Sequence, residues 1–148
     1  MKIAGADTAI KGISFYLFES NQLVWIQRPK SKNFDDTLKL YFEECSKIDA
    51  EVVWIEEVAY VRNYKATLQM SQILGIVKLA FILRNIPVYT VTAPQWKKDV
   101  LGNGKATKEQ IIQFVQTSQR FNFDKSTIND DAADSCCIAL FGKLRMEK

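Results

Sequence analysis

Four acidic residues, Asp7, Glu56, Asp131 and Asp134, frame the chemistry open to this 148-residue chain, because it contains no histidine. Without histidine, Ser-His-Asp triads, Cys-His dyads, histidine zinc sites and imidazole general bases are excluded. Catalysis must then run on carboxylates, lysines or metals. Asp131 and Asp134 stand three apart, which on a helix separates them by about 60° around the axis and about 4.5 Å along it, so both face one neighbourhood. Taken singly, each acid has an ordinary explanation: an aspartate after a strand forms turns, and acids at a helix start cap it and meet its dipole. Gathered in one place, each close pair would repel by about 4 kcal/mol at about 4 Å with an effective dielectric near 20. Such a cluster persists only with protons or divalent cations among it. Hard oxygen donors select Mg²⁺ or Mn²⁺ over zinc or copper, and two such ions about 3.5–4 Å apart suit in-line hydrolysis of a phosphodiester.

The elements that must position these acids follow from hydrophobic periodicity. Residues 2–6 predict a strand ending at Asp7, and 12–18 and 22–28 predict two more, with Asn21 and Gln22 at the turn between them. Phe34, Leu38, Tyr41, Phe42, Cys45 and Ile48 recur at threes and fours, which predicts a helix over 34–48. The run Val52-Val53-Trp54-Ile55 predicts a buried strand that delivers Glu56 at its end, with strand alternation sending Glu57 to the opposite face. A long helix over 64–85 carries Ala66, Met70, Ile73, Leu74, Val77, Ala80 and Phe81 on one face. A strand over 87–91 leads, through Thr92 as N-cap and an early Pro94, into a helix ending near Leu101. Thr107 and Gln110 have the spacing of a capping box, and a last helix beginning near Asp130 buries Ala133, Cys137, Leu140, Phe141 and Leu144. The order β-β-β-α-β-α-β-α-α-α gives a mixed α/β fold, read as one domain over residues 1–148.

Composition narrows the setting. The net charge of +3 conceals an asymmetry: residues 1–59 hold 7 Lys/Arg against 10 Asp/Glu, residues 60–128 hold 10 against 3, and residues 129–148 hold 3 against 4. The basic middle is suited to a polyanion, although a solvated helical face would produce the same excess. Cys45, Cys136 and Cys137 form no C-x-x-C pair and are read as reduced thiols filling the core of a cytoplasmic protein. No apolar run has a membrane-spanning length, and the residues from Met1 to Asp7 lack a signal-peptide core.

Three stretches together resemble the RuvC family of Holliday-junction resolvases. Ile3-Ala4-Gly5-Ala6-Asp7 is similar to that family's strand ending in a catalytic aspartate. Trp54-Ile55-Glu56-Glu57-Val58 resembles its I-E-x-V segment, and Asp131-Ala132-Ala133-Asp134 followed by Ile138-Ala139-Leu140 resembles its D-A-A-D-A helix. The resemblance implies a ribonuclease H-like mixed sheet flanked by helices, and a nuclease holding two Mg²⁺ ions per site, with Mn²⁺ substituting, on Asp7, Glu56, Asp131 and Asp134. It implies Lys97 and Lys108 as basic groups beside the scissile phosphate, with Tyr60, Arg62, Lys65, Lys98 and Lys105 as further DNA contacts. It also implies a homodimer that nicks four-way junctions symmetrically. That would account for Leu68, Ile76, Leu79 and Leu83 lying off the principal face of the long helix; a large monomeric core is the other explanation.

Two departures stand out. Where the family has D-P-G, this chain has Asp7-Thr8-Ala9, so the turn beside the acids must be made differently. Where the family places an aromatic residue after I-E-x-V, this chain has Ala59, with Tyr60 next to it. Either Tyr60 substitutes for the strand-separating ring, or selectivity is relaxed toward forks, flaps and three-way junctions. The competing functions are a ribonuclease H-like nuclease acting on other substrates, such as RNA in hybrids, and a branched-DNA-binding module without turnover. An actin-like ATPase would need glycine-rich phosphate loops, and only Gly102 and Gly104 come near one.

Overall fold

The computed structural model describes residues 1–59 and 63–148. Its elements run β1 (Ile3–Thr8), β2 (Gly12–Leu17), β3 (Gln22–Gln27), α1 (Phe34–Cys45), β4 (Val52–Glu56), α2 (Tyr64–Ile82), β5 (Val88–Val91), α3 (Ala93–Leu101), α4 (Lys108–Thr117) and α5 (Asp130–Met146). The expected mixed sheet is present, with five strands in the order β3-β2-β1-β4-β5. β1, β2 and β3 form an antiparallel meander, while β4 pairs parallel with β1 and β5 parallel with β4.

Strand alternation splits the core into two layers. Ala4, Ala6, Ile13, Phe15, Val53 and Ile55 point to one face, where Tyr41 and Cys45 of α1 and Ile73, Val77, Ala80 and Phe81 of α2 cover them. Ile3, Tyr16, Val52 and Trp54 point to the other, beneath α5, with Trp96 of α3 and Ile111 and Val115 of α4 in the same cluster. α5 lies between the sheet and the two smaller helices, and every residue from Ser135 to Gly142 is buried. The periodic reading placed one apolar face on this helix. Small side chains let it be enclosed nearly all round instead, and Leu144 is only partly buried.

Several boundaries move for local reasons. α1 ends at Cys45 rather than Ile48, and the carbonyls of both residues accept from the Arg84 guanidinium, at 2.9 and 2.8 Å. α2 ends at Ile82, and the chain turns through Asn85 at a φ of 59°. Gln22 already belongs to β3, so the turn before it comes earlier, through Glu19 and Asn21 at positive φ. The capping box forms: Gln110 N donates to Thr107 Oγ1 at 3.2 Å and Thr107 N donates to Gln110 Oε1 at 2.9 Å. All three cysteines are free and buried.

The missing D-P-G turn is replaced without glycine or positive φ between Asp7 and Lys11. Ala9 N donates to Gly12 O at 2.9 Å, closing the reversal, and the Tyr41 hydroxyl reaches up from α1 to donate to Ile10 O at 2.9 Å.

Candidate active site

β1 and β4 place their terminal acids side by side. The parallel register pairs Gly5 with Trp54 and Ala6 with Ile55, so the next pair along is Asp7 with Glu56. Both share the face of Gly5 and Trp54, which is the face covered by α5. Glu57 is exposed and accepts a hydrogen bond from Thr90 Oγ1 at 3.1 Å, away from Glu56.

Two glycines bring α5 close to these strands. A Cβ on Gly5 would lie 2.2 Å from the Ala139 nitrogen and 2.5 Å from the Ser135 oxygen, and one on Gly142 would lie 2.2 Å from Cδ1 of Trp54. Only glycine permits this seating, of backbone on backbone at Gly5 and of backbone on the Trp54 ring at Gly142. Ser14, paired with Asp7 across the β1–β2 ladder, fixes the axial position of the helix: its hydroxyl oxygen lies 3.0 Å from that of Ser135, and both are buried. Asn129 caps α5 by accepting from Ala132 N at 2.8 Å, which sets Asp130, Asp131 and Asp134 on the first turns.

The electrostatics show the acids sharing one space. Burial, reinforced by the negative charges of Asp134, Glu56 and Asp131, pushes the Asp7 carboxyl up to about 9. Burial and Glu56 push Asp134 up to about 7, against the pull of Lys97. Glu56 is also raised by burial, opposed by a hydrogen bond from Trp96 and the charge of Lys97. That hydrogen bond runs from the fully buried Trp96 indole Nε1 to Glu56 Oε1 at 2.8 Å. Lys11 binds Asp131 at 2.8 Å, and Lys108 stands 3.5 Å from Asp130.

Among the described residues, no three acidic side chains are gathered closely enough to hold one ion together. Asp131 is engaged by Lys11, and one oxygen of Glu56 by Trp96. The donor set nonetheless suits a hard divalent cation. It is made of carboxylates alone, and Asp7 and Asp134 are raised first by burial and then by neighbouring negative charge, a cost that a cation would relieve.

The structure thus brings Asp7, Glu56, Asp131 and Asp134 to one end of the sheet. Lys97 stands close enough to act on both Glu56 and Asp134. Lys108 meets Asp130 instead of any of the four. Lys98 and Lys105 are exposed on α3 and the loop after it, and Lys65 is exposed on the first turn of α2. Tyr60 and Arg62 lie outside the described residues. Sequence reasoning missed Trp96, Lys11 and the Ser14–Ser135 pair. Only the position of Trp96 beside Lys97 gave a signal, and a buried indole reads as core until its N–H partner is known.

Comparison with known proteins bears on the family and the fold. Residues 21–141 match the family model described as crossover junction endodeoxyribonuclease RuvC. The chain is 30% identical over 151 residues to the crossover junction endodeoxyribonuclease RuvC of Trichlorobacter lovleyi, covering 95% of this chain and 83% of that one. It is 33% identical over 118 residues to the RuvC of Pseudothermotoga lettingae, covering 77% and 72%. Among solved structures, T. thermophilus RuvC in complex with Holliday junction substrate superposes with a TM-score of 0.81 at 20% identity, covering 99% of this chain and 96% of that one. Fowlpox virus resolvase with substrate Holliday junction DNA superposes at 0.63 and 19% identity, covering 97% and 99%. The structural likenesses establish a shared fold.

Proposed function

The chain belongs to the RuvC family of crossover junction endodeoxyribonucleases, and from that membership we propose that it nicks Holliday junctions by metal-dependent hydrolysis of phosphodiesters. The observation that carries this reading is the pairing of Asp7 and Glu56 on adjacent parallel strands beneath the Asp131–Asp134 turn of α5.

Asp7, Glu56, Asp131 and Asp134 would hold divalent cations, Mg²⁺ foremost and two in number, with Mn²⁺ able to replace them. Such ions, when bound, supply Lewis acidity toward the phosphate and lower the pKa of a bound water. The chain's own groups do the positioning. Trp96 holds one Glu56 oxygen, which restricts the carboxylate and leaves its other oxygen to meet a cation. Lys97 lies where it would hold a phosphate oxygen against the carboxylates, and Lys108 would take the adjoining backbone once drawn from Asp130. Lys98, Lys105 and Lys65, with Arg62 and Tyr60, would extend this contact along the arms of the junction.

Residues 1–148 would act as one nuclease domain and would pair as a homodimer, presenting two sites to two strands. The surface suited to that pairing is α2, where Tyr64 is 79% exposed, Leu83 63%, Ile82 52%, Leu68 45% and Leu79 41%, too much apolar area for a helix facing only water. Ala59 is exposed and carries no ring; either Tyr60 supplies one, or forks, flaps and three-way junctions would also be cut. No helix among the described residues is long and apolar enough to cross a membrane, and work on DNA with reduced cysteines suits the cytoplasm.

A panel of labelled substrates tests this: a four-way junction, a Y-fork, a linear duplex and an RNA–DNA hybrid, each with Mg²⁺, Mn²⁺ or EDTA. Symmetric nicks in the junction with either metal and none in EDTA are expected. Cutting confined to the hybrid would make the chain a different nuclease, and junction binding with no cutting in either metal would make it a binding module.

A further inference from the structure

Beside the carboxylate cluster lies a ring that is both open to solvent and held in place. Trp25 of β3 is paired with Ser14 of β2, and Ser14 is paired with Asp7 of β1. Partners across neighbouring strands point to the same side, so Trp25 stands in the transverse row of Asp7, two strand spacings or about 10 Å away. The indole lies over Gly12: a Cβ added there would fall 2.3 Å from Cζ2 and 2.4 Å from Cη2 of the ring. Trp25 Nε1 donates to Gln27 Oε1 at 3.0 Å, and Gln27 Nε2 donates to the Lys11 carbonyl at 3.4 Å. The side chain is nevertheless 44% exposed, while Trp54 is 8% and Trp96 0%.

A single exposed aromatic is ordinary on a protein surface. What sets this one apart is the bracing on glycine, the pinned N–H, and the neighbours. Trp25 borders a hollow of about 240 Å³ whose other walls include Thr127, Asn129 and Ala132 at the start of α5. Lys11, one residue before the glycine under the ring, is the cation on Asp131. An aromatic face, a hollow of mixed polar and apolar walls and an ammonium group are thus arranged along one edge of the acid cluster.

We propose that Trp25 is a stacking platform for a nucleobase close to the scissile phosphate, with Lys11 leaving Asp131 to hold that nucleotide's backbone. This rests on the nuclease reading above. Stacking on an indole uses the face that every base possesses, so the subsite would tolerate sequence while requiring that the base be unstacked from its neighbour. Holding the ring in place beforehand removes most of the ordering cost of binding it. Thr127 and Asn129 offer hydrogen-bonding groups to the edge of a base, Leu23, Val24 and Ile128 offer it apolar contact, and the row shared with Asp7 sets the ring beside the acids.

All three tryptophans emit, and Trp25 is the exposed one, so the difference between wild type and Trp25→Phe isolates its share of the signal. A fluorescein-labelled four-way junction is titrated with the protein in EDTA and followed by anisotropy, and the unlabelled junction is used for tryptophan quenching. The wild-type emission is expected to quench in step with the binding curve. Trp25→Phe, which keeps a ring over Gly12, should lose the quench and hold the junction within about 2-fold of wild type. Trp25→Ala should weaken binding by about 5-fold or more. Circular dichroism confirms that the variants keep the fold. Wild-type binding without any quench, or a folded Trp25→Ala that binds as tightly as wild type, overturns the subsite while leaving the nuclease reading intact if the junction is still cut with Mg²⁺. A wild-type protein that neither binds nor cuts the junction removes both.

Discussion

Replacing Asp7 by asparagine should stabilise the metal-free protein, and the size of the gain follows from the burial of the acids. Asp7 is held near 9 against an ordinary value of 3.8, chiefly by burial and then by Asp134, Glu56 and Asp131. At pH 7 the folded chain must either keep a proton on this carboxyl or bury a charge among like charges. The distance from 3.8 to pH 7, at about 1.4 kcal/mol per pH unit, makes this worth about 4 kcal/mol. Asparagine still buries a polar group at this position, so the replacement returns only part of that, about 2 kcal/mol. For a domain of this size, each kcal/mol moves the melting temperature by about 2–4 °C, so Asp7→Asn should melt about 4–8 °C above wild type in EDTA at pH 7. The sign with pH follows from the same linkage. A folded-state pKa above the unfolded one means the folded chain binds more protons between the two, so wild-type stability falls as pH rises from about 4 to about 9. Asp7→Asn should flatten that decline. Mg²⁺ should raise the wild-type melting temperature more than that of the variant, since it offsets the same repulsion. Differential scanning calorimetry across pH, with and without Mg²⁺, reads all of this. A variant that melts at or below wild type in EDTA would refute the picture of Asp7 buried among like charges that Lys11 and Lys97 only partly offset.

Other perturbations follow from single contacts. Gly5→Ala pushes a methyl group into the backbone of α5 and should cost about 3 kcal/mol in urea unfolding, whereas full stability would mean the helix is not seated on β1 as described. Trp96→Phe removes the indole donor from Glu56, so the acidic limb of the cleavage pH profile should move up and the rate should fall by about tenfold or more; an unchanged profile would show the hydrogen bond to be incidental. Lys11→Met takes away the cation that competes for Asp131, so Mn²⁺ binding measured by calorimetry should tighten, and weaker binding would contradict the competition. Lys98→Ala should weaken junction binding without changing cleavage position and should lower the slope of log affinity against log salt by about 0.9, a value that would stay unchanged if this exposed side chain never meets a phosphate.

Much of the site was legible because it sits where periodicity changes. Asp7 and Glu56 end short apolar strands, and Asp131 and Asp134 follow a helix cap; each position alone has an ordinary explanation, and the three motifs together singled them out. The capping box at Thr107 and the surplus apolar residues on α2 were legible for the same reason. What escaped depends on contacts between segments distant in sequence. Trp96 reaches Glu56 only because α3 packs on the α5 side of β4, and no spacing rule relates residues forty apart. Lys11 carries no signal in the sequence, and only the tight Ala9–Gly12 reversal brings it to Asp131. The enclosure of α5 was hidden by its small residues, since Ala, Ser, Cys and Gly give little periodic signal even where they mark the closest packing.

The central claim is that Asp7 stands at the heart of a metal-dependent junction nuclease. It is tested most directly by single-turnover cleavage of a labelled four-way junction in Mg²⁺, comparing wild type with Asp7→Asn at protein concentrations that saturate binding for both. The account predicts paired symmetric nicks from the wild type and loss of cleavage by the variant, with junction affinity kept. Cleavage by Asp7→Asn at the wild-type rate would contradict it.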